Sequence, residues 1–376
     1  MIVQLGIPQP RGTGSTGTSA SAPPGRPAGA SAGLVDRYGR RATDMRLSLT
    51  DKCNLRCTYC MPAEGMEWLS KQAVMSAEEI QRIVRVGVHF LGVRELRLTG
   101  GEPLVRADLL DIISSLRQAH PELPISMTTN GIGLDKKAAG LKAAGLSRIN
   151  VSLDSLHEET FAQLTRRPFL AKVLAGVDAA WAAGLGPVKI NAVLMRGIND
   201  VESPALLAWA LDRGYELRFI EQMPLDAEHG WTRENMITAA EIRELLSVDY
   251  ELAQDPRNRD GAPAERFQVR RRIPDNAGSA GPVLGTVGII ASVTEPFCSD
   301  CRRTRITAEG KIMSCLFSHE EVDLLGLLRQ GASDEQLASR WQDAMWIKPK
   351  AHGMEHVGLD TPDFRQPDRS MSAIGG

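Results

Sequence analysis

Apolar and polar residues alternate in short runs across residues 44–225, and helical patterns separate these runs. The alternating runs predict six strands, at Met45–Thr50, Arg94–Thr99, Ile125–Thr129, Arg148–Leu153, Val188–Leu194 and Glu216–Glu221. Helical patterns lie between them, at Ala77–Leu91, Ala107–Ala119, Ala138–Ala144 and Leu206–Leu211. Such serial units predict a parallel α/β sheet covered by helices. Six units are too few to close an eight-fold barrel, so we expect a partial, open, TIM-like barrel.

The pattern changes after about residue 225. Loop-like segments at 255–264 and 274–282 are interspersed with strand-like runs and a late helix, at Phe267–Ile273, Gly285–Ser292, Thr304–Leu316 and Glu335–Trp346. The run from Thr304 contains a turn at Glu309-Gly310. We therefore expect a barrel domain over residues 44–225 and a C-terminal α+β extension over residues 226–376.

Two helix starts carry a capping-box signature. Ser76 is followed by Glu79, and Thr238 is followed by Glu241, each three residues later. The hydroxyl and the carboxylate of such a pair satisfy each other's backbone N–H groups, so we expect helices to begin just after Ser76 and Thr238.

The N-terminal residues have a different composition. Residues 12–33 are mostly Gly, Ser, Thr, Ala and Pro, which bury too little apolar surface to offset the entropy of ordering. We expect a disordered tail over residues 1–43. A transit peptide is the alternative, because the segment also lacks acidic residues.

Charge and hydropathy exclude several classes of protein. The formal net charge of -2 provides no global basic field for nucleic acid. We find no apolar run of about 18 residues, so no membrane span is expected. The first residues lack the apolar core of a secretory signal. Without secretion, the cysteines are expected to be reduced thiols that are available to metal, and not disulfides.

The six cysteines fall into two groups of three. The spacings are C-x3-C-x2-C and C-x2-C-x13-C, at Cys53, Cys57 and Cys60 and at Cys298, Cys301 and Cys315. Zinc sites and ordinary iron–sulfur carriers usually take four protein ligands. Two triads favour two [4Fe-4S] clusters, each with one iron open to a small molecule. A zinc knuckle or unliganded core cysteines are the alternatives for the first triad.

Cations cluster beside the second triad and on the polar faces of the predicted strands. Arg303 and Arg305 alternate along one strand and therefore point to the same side. The same parity places further polar groups on one face of their strands, at Arg46, Ser48, Thr50, Arg97, Thr99, Lys189 and Asn191. Guanidinium groups suit phosphate oxygens, so together they predict a polyphosphate site. A solvated basic strand or internal ion pairs are the alternatives.

The first triad resembles the radical S-adenosylmethionine superfamily. The resemblance is carried by Cys53-Asn-Leu-Arg-Cys57-Thr-Tyr59-Cys60 together with Gly100-Gly101-Glu102-Pro103 after the second strand. It implies that the open iron of a [4Fe-4S] cluster chelates S-adenosylmethionine. It also implies that the glycine turn lets the backbone approach the amino group of that ligand.

Within this superfamily the chain resembles the enzymes that cyclise GTP in molybdenum cofactor biosynthesis. The strings that carry the likeness are Leu-Thr-Gly-Gly-Glu-Pro-Leu (98–104), Thr-Thr-Asn-Gly (128–131), Val-Ser-Leu-Asp-Ser (151–155), Met-Arg-Gly-Ile-Asn (195–199), Arg-Phe-Ile-Glu-Gln-Met-Pro (218–224) and Phe-Cys-Ser-Asp-Cys-Arg-Arg-Thr-Arg (297–305). The reaction this implies begins with a 5′-deoxyadenosyl radical that takes the ribose 3′ hydrogen of GTP. The ribose radical then attacks guanine C8. The second cluster is implied to bind the guanine end.

The resemblance also implies a role for individual residues. The implied contacts to S-adenosylmethionine are Tyr59, Gly101, Ser152 and Met223. The implied contacts to GTP are Arg46, Arg97, Thr128, Lys189, Arg303 and Arg305. The terminal Gly375-Gly376 resembles a double-glycine tail that reaches into the active site.

The implied partners are a reductant protein such as flavodoxin or ferredoxin, and cyclic pyranopterin monophosphate synthase downstream. A homodimer is left open. The alternative enzyme is a radical S-adenosylmethionine enzyme that modifies a peptide. The alternative outside enzymes is an iron–sulfur electron carrier or a zinc scaffold.

Overall fold

A computed structural model describes residues 26–27, 32–272, 281–351, 366–367 and 369–374. Within these ranges the strands are β1 Asp44–Ser48, β2 Glu95–Thr99, β3 Ile125–Thr129, β4 Arg148–Ser152, β5 Lys189–Leu194, β6 Glu216–Glu221, β7 Tyr250–Gln254, β8 Glu265–Arg271, β9 Val283–Ile290, β10 Arg303–Ile306, β11 Lys311–Met313 and β12 Val322–Asp323. The α-helices are α1 Ala77–His89, α2 Leu109–Ala119, α3 Leu134–Ala143, α4 Glu158–Thr165, α5 Leu170–Ala182, α6 Ser203–Asp212, α7 Ala239–Leu246, α8 Leu325–Arg329, α9 Asp334–Trp346 and α10 Met371–Ile374.

The described strands form a single mixed sheet that does not close on itself. Its order is β12-β11-β10-β1-β2-β3-β4-β5-β6-β9-β8-β7. The central eight strands, from β10 through β1–β6 to β9, run parallel to one another. The predicted six-unit open barrel is confirmed, and strands from the second half of the chain extend both of its edges.

Strand parity separates the core from the polar face, as expected. Met45 and Leu47 of β1 are fully buried in the apolar core, whereas Arg46 between them turns toward the other face. On the core side, α9 covers β1 and β10 through Trp341. Its indole N–H donates to the Thr304 hydroxyl at 2.9 Å, and its ring packs close to Gly87 of α1.

Both predicted capping boxes are present. Ser76 caps α1 with Glu79, and Thr238 caps α7 with Glu241. A third box, which the sequence reading did not identify, joins Ser333 to Gln336 at the start of α9.

Residues 32–43 differ from the expected tail. Leu34 and Asp36 are buried, and Arg40 Nε contacts Asp36 Oδ2 at 2.6 Å. The tail prediction is therefore wrong for this segment, because its few apolar and charged residues pack against the sheet and the second cysteine group. Most of the predicted tail, residues 1–25 and 28–31, lies outside the described residues. In the described part of the chain, none of the helices has the length and apolarity needed to cross a bilayer.

Candidate active site

A cavity lies on the polar face of the sheet, inside the open barrel. Eight residues that the sequence analysis assigned to ligand binding line it, namely Tyr59, Ser152, Met223, Arg46, Arg97, Thr128, Arg303 and Arg305. These side chains come from β1, β2, β3, β4 and β10 and from the loops that follow β1 and β6. Strand alternation thus collects residues that are distant in sequence on one concave surface.

Three of the arginines form a row across adjacent strands. Arg305 of β10 is the register partner of Arg46 of β1, and Arg46 is the partner of Arg97 of β2. Burial, together with repulsion from neighbouring arginines, lowers the pKa of Arg46 to about 9 and that of Arg305 to about 9. The pKa of Arg97 is likewise lowered to about 10, mainly by burial. The row therefore concentrates positive charge, which the carboxylate of Asp44 opposes at Arg46 and those of Asp44 and Glu95 oppose at Arg97.

Arg218 of β6 reaches the same cavity, although the sequence analysis gave it no role. Its Nε and Nη2 are buried without a hydrogen-bond partner, as are the Nε atoms of Arg46 and Arg97. The nearest carboxylate to Arg46 is that of Asp44, 3.9 Å away. Buried donors without acceptors are costly, so this surface is built for an external polyanion.

The alternation of side chains between the two faces of β6 could have identified Arg218 as a cavity residue from the sequence. Glu216, Arg218 and Ile220 share a face, by the same parity that identified Arg46 on β1. Gly288 of the neighbouring strand makes room for the side chain, because a Cβ atom there would lie 2.8 Å from Cγ of Arg218.

Lys189 is the predicted GTP contact that does not line this cavity. Its ammonium is paired with the carboxylate of Glu216 on the neighbouring strand at 2.6 Å. Burial and the nearby Arg218 lower the pKa of Lys189, and the Glu216 contact opposes that change.

The two cysteine triads lie at opposite ends of the cavity. Cys53 follows the C-terminal end of β1, whereas Cys301 precedes the N-terminal end of β10, which runs parallel to β1. β11 returns antiparallel to β10, and this brings Cys315 back to the end where Cys301 lies. A ligand along the arginine row therefore lies between the two triads.

The first triad is a loop of half-buried thiols with backbone and amide donors. Cys53 Sγ accepts from the Leu55 N–H at 3.4 Å and from Asn130 Nδ2 at 3.8 Å. Burial raises the pKa of the Cys53 thiol to about 11 and that of the Cys60 thiol to about 12. Three sulfur donors that carry hydrogen bonds fit the ligand set of an iron–sulfur cluster, whose positive irons favour thiolates.

Within the described residues, no set of three or more His, Cys, Asp or Glu side chains is arranged to hold a single metal ion. Each thiolate of a four-iron cluster binds a different iron, so the three sulfur ligands do not need to meet at one point.

The Gly-Gly-Glu-Pro turn packs directly against the strand end that leads into the first triad. The Gly101 N–H donates to the Thr50 carbonyl at 2.7 Å. A Cβ atom at Gly101 would lie 2.4 Å from the carbonyl oxygens of both Asp51 and Lys52. Gly101 does not line the cavity through a side chain, and glycine is required here because two backbone segments are in contact.

Glu102 ties this turn to the end of β3. Its carboxylate accepts from the Leu104 N–H at 2.9 Å, the Thr129 hydroxyl at 2.6 Å and the Asn130 N–H at 2.6 Å. Burial raises the pKa of Glu102 to about 7, and these hydrogen bonds oppose the rise. Asn130 in turn donates to Asn54 Oδ1 at 2.6 Å, so the glutamate holds the triad loop in place.

Asp154 is a second cavity residue without an assigned role in the sequence analysis. It is buried, and its carboxylate accepts from the Tyr59 hydroxyl at 2.6 Å and from the Val193 N–H at 2.9 Å. Burial raises the pKa of Asp154 to about 6 despite these two hydrogen bonds. Its position in the string 151–155, directly after β4, was the available signal. The carboxylate fixes Tyr59 above the cavity.

The second triad has a strongly positive setting. Burial alone would raise the pKa of the Cys301 thiol, but Arg303 and Lys348 outweigh it and lower the pKa to about 6. Arg303 Nη2 and Lys348 Nζ each lie 3.3 Å from the Cys301 sulfur. The guanidinium of Arg303 also stacks over the Phe297 ring, 4.6 Å from its centroid. A thiolate is the favoured form here, which suits a metal ligand.

The C-terminal residues enter the barrel beside the first triad. Met371 lines the cavity, and the Ser48 hydroxyl donates to the Ile374 carbonyl at 2.9 Å. The Cys60 sulfur accepts hydrogen bonds from Ser372. Gly375 and Gly376 lie outside the described residues, but the residue before them is already at the polar face of β1.

Two family models match the chain in sequence. Residues 47–210 match the Radical SAM superfamily, and residues 215–354 match Molybdenum Cofactor Synthesis C. With the open barrel and the cysteine loop after β1, these matches identify a radical S-adenosylmethionine enzyme.

Curated relatives resolve the family within that class. The chain is 82% identical to the GTP 3′,8-cyclase of Paenarthrobacter nicotinovorans over 94% of this chain and all of the relative. It is 54% identical to that of Streptomyces coelicolor, over 91% and 96% of the two chains, and 52% identical to that of Mycolicibacterium smegmatis, over 100% and 99%. The chain belongs to the GTP 3′,8-cyclase family, which confirms the sequence prediction. Streptococcus suis SuiB bound to S-adenosylmethionine aligns with 55% of this chain and 46% of its own, at 18% identity and a TM-score of 0.46.

Proposed function

We propose that this chain converts GTP to (8S)-3′,8-cyclo-7,8-dihydroguanosine 5′-triphosphate, the first step of molybdenum cofactor biosynthesis. S-adenosylmethionine and two [4Fe-4S] clusters would serve as cofactors. The observation that carries the proposal is the row of arginines between two cysteine triads. It offers a polyanion several guanidinium groups with unsatisfied donors, at a site with a sulfur ligand set on each side.

The end of the cavity beside the first triad would hold S-adenosylmethionine. Cys53, Cys57 and Cys60 would bind the first cluster. When bound, that cluster and S-adenosylmethionine supply the carbon radical that removes the ribose 3′ hydrogen of GTP. The ligand contacts would be Tyr59, Gly101, Ser152 and Met223. Asp154 holds the Tyr59 hydroxyl at 2.6 Å and so keeps that ring in one orientation.

The arginines would bind the triphosphate. Arg46, Arg97 and Arg305 lie on one row, and Arg303 and Arg218 flank it. Guanidinium forks bind phosphate oxygens in pairs, so the buried unpartnered donors of Arg46, Arg97 and Arg218 can orient the nucleotide as well as attract it. Thr128 adds a hydroxyl to this surface. Lys189 would join when phosphate competes with Glu216 for its ammonium.

Cys298, Cys301 and Cys315 would hold the second cluster, and its open iron would bind the guanine end of GTP. This assignment agrees with the position of the second triad at the opposite end of the cavity from the first. Residues 44–225 would then carry the radical-generating half of the site, and residues 226–376 most of the substrate-binding half.

The C-terminal tail would complete the enclosure. Ile374 already contacts Ser48 on the cavity side of β1, so Gly375 and Gly376 would extend toward the bound nucleotide. A closed site keeps water and other hydrogen donors from a carbon radical.

Outside partners complete the proposal. A flavodoxin or ferredoxin would supply electrons, and cyclic pyranopterin monophosphate synthase would take the product. A cytoplasmic location suits thiols that must stay reduced, and a homodimer is one assembly state to test.

Anaerobic incubation of the purified chain with GTP, S-adenosylmethionine and dithionite tests the reaction. The removed hydrogen atom is replaced by an electron and a proton, so the product is an isomer of GTP. Chromatography with mass detection should therefore show a new peak of GTP mass, with 5′-deoxyadenosine. Formation of 5′-deoxyadenosine with GTP unchanged would contradict the proposal, and a modified peptide in a parallel assay would favour the peptide-modifying alternative.

A further inference from the structure

Lys348 lies behind the second triad, just after α9. Its side chain is buried, and its ammonium lies 3.3 Å from the Cys301 sulfur, 3.4 Å from the Cys301 carbonyl and 2.8 Å from the Arg303 carbonyl. It does not line the cavity, so bound substrate would not reach it.

Within the described residues, no carboxylate pairs with the ammonium of Lys348. Among the described residues its contacts are two carbonyl oxygens and one sulfur, and the ion pairs elsewhere in the structure do not include it. Burying an ammonium is costly unless an anion accompanies it. The group that can balance it is the Cys301 sulfur, 3.3 Å from the ammonium, because a cysteine that binds a metal does so as a thiolate.

Arg303 approaches the same sulfur from the other side. Its Nε and Nη2 lie 3.4 Å and 3.3 Å from Cys301 Sγ, and Arg303 faces the cavity. The Cys301 sulfur is therefore flanked by two cations. Bound substrate can contact Arg303 but cannot contact Lys348. Lys348 also donates to the Arg303 carbonyl. It therefore fixes both the Cys301 sulfur and the start of β10, the strand that carries Arg303 and Arg305.

The segment that carries Lys348 is itself held against the second triad. Arg40 Nη1 donates to the Cys298 carbonyl at 2.8 Å and to the Lys350 carbonyl at 2.8 Å. Arg40 Nη2 donates to the Pro349 carbonyl at 2.5 Å. Arg40 is oriented in turn by Asp36. The ammonium of Lys348 is thus built into place.

We infer that Lys348 is a positioning residue for the second cluster, acting as a buried counter-cation that holds the Cys301 thiolate and the backbone of Arg303. The inference rests on the proposed function, because it assumes a cluster on Cys298, Cys301 and Cys315. Donors to cluster sulfurs and nearby positive charge raise the reduction potential, and outer ligand partners hold the metal. Lys348 should therefore affect both cluster retention and potential.

The test uses the full chain with Cys53, Cys57 and Cys60 replaced by alanine, so that only the second cluster remains. Lys348→Met should weaken iron retention against a chelator about tenfold. It should also shift the midpoint potential to a more negative value in a redox titration followed by electron paramagnetic resonance. Lys348→Arg, which keeps the charge, should restore most of the retention. Lys350→Met is the matched control, because Lys350 is an exposed neighbour, and it should change neither readout.

The outcomes separate this inference from the proposed function. If the triple alanine background holds no iron at all, the second cluster and the inference that rests on it both fail. If the background holds a cluster and Lys348→Met leaves retention and potential unchanged, the role of Lys348 alone is overturned. Thermal unfolding of each variant identifies simple misfolding. If Lys348→Met does not fold, iron retention and midpoint potential are measured on Lys348→Arg instead.

Discussion

Arg46 and Arg305 are register partners on neighbouring parallel strands, and both are buried on the cavity face. Like charges in this position disfavour the empty protein: Arg46 lowers the pKa of Arg305, and Arg97 and Arg303 lower that of Arg46. The same juxtaposition is favourable when a polyphosphate lies across it. Repulsion between these arginines therefore destabilises the empty fold, and the proposed binding of the substrate triphosphate relieves that repulsion.

Replacing Arg46 by methionine should separate these two effects. We expect the thermal stability of the empty protein to be unchanged or higher, because a buried and repelled charge is removed. Affinity for GTP should fall by about tenfold to a hundredfold, the usual loss for a charge-assisted hydrogen bond. Differential scanning fluorimetry and equilibrium GTP binding measure the two, with the exposed Arg94→Met as control. A marked loss of stability with GTP binding intact would contradict the phosphate role.

Gly101→Ala should damage the first triad through a clash with the backbone that leads into it. The added methyl group would meet the carbonyl oxygens of Asp51 and Lys52 at 2.4 Å, so the loop into Cys53 must shift. We expect destabilisation of about 1–3 kcal/mol, typical of overpacking, and loss of iron from the first cluster. Gly230→Ala is a suitable control, because its nearest neighbour would be 3.7 Å away. Iron content equal to that of the parent would show that the loop tolerates the shift.

Asp154 should give the folded protein a measurable pH dependence. Burial raises its pKa from 3.8 to about 6, so the folded chain binds this proton more tightly than the unfolded chain. Its contribution is fully present below about pH 4 and is lost as pH rises through about 6, a change of about 3 kcal/mol at most.

The comparison is urea unfolding of the parent and of Asp154→Asn from pH 4 to 7. The free energy of unfolding of the parent should fall relative to the variant as pH rises, and the exposed Asp111→Asn should follow the parent. Parallel curves for the parent and Asp154→Asn would mean that Asp154 is ionised in the fold across this range.

Cys315→Ser should remove one cluster and leave the other. We expect roughly half of the iron to be lost and GTP cyclisation to stop, with reductive cleavage of S-adenosylmethionine retained. Cys60→Ser is the matched comparison, because it should abolish both cleavage and cyclisation. Normal cyclisation by Cys315→Ser would rule out a substrate-anchoring role for the second triad.

Deleting Gly375 and Gly376 should lower cyclisation while iron content stays at the parental level. The reason is geometric, since Ile374 already contacts Ser48 on the cavity side of β1, and Ser372, which contacts Cys60, is kept in the truncated chain. Product formation, iron and sulfide measured on the same preparation make the comparison. Full activity after truncation would show that the last two residues do not contribute to the site.

Sequence alone predicted the central strands well, because their faces differ sharply in polarity. Ile125–Thr129 and Glu216–Glu221 begin and end where the alternation does. By contrast, β7, Tyr250–Gln254, is an exposed edge strand that pairs on one side only, and its mixed residues carry no clear period. Residues 32–43 were assigned to the tail because their burial depends on distant partners that composition does not reveal.

Site residues that belong to a sequence motif could be predicted. Residues whose role depends on tertiary packing were harder to predict. The cysteines and most ligand residues followed from spacing, parity and family resemblance. Arg218 and Asp154 belong to strings that were identified, yet their roles depend on which side chains share the cavity. Lys189 shows the converse, since strand parity gave its face but could not reveal the ion pair with Glu216.

The contacts of Arg40 have a bearing on how the protein is made. This residue joins a segment at the start of the chain to Cys298 and to residues 349–350 near its end. During synthesis the loop of the first triad can emerge and fold early. The surroundings of the second triad are complete only once residues 349–350 have left the ribosome. If the second triad holds a cluster as proposed, its insertion should follow translation, and chains truncated before residue 349 should acquire the first cluster alone.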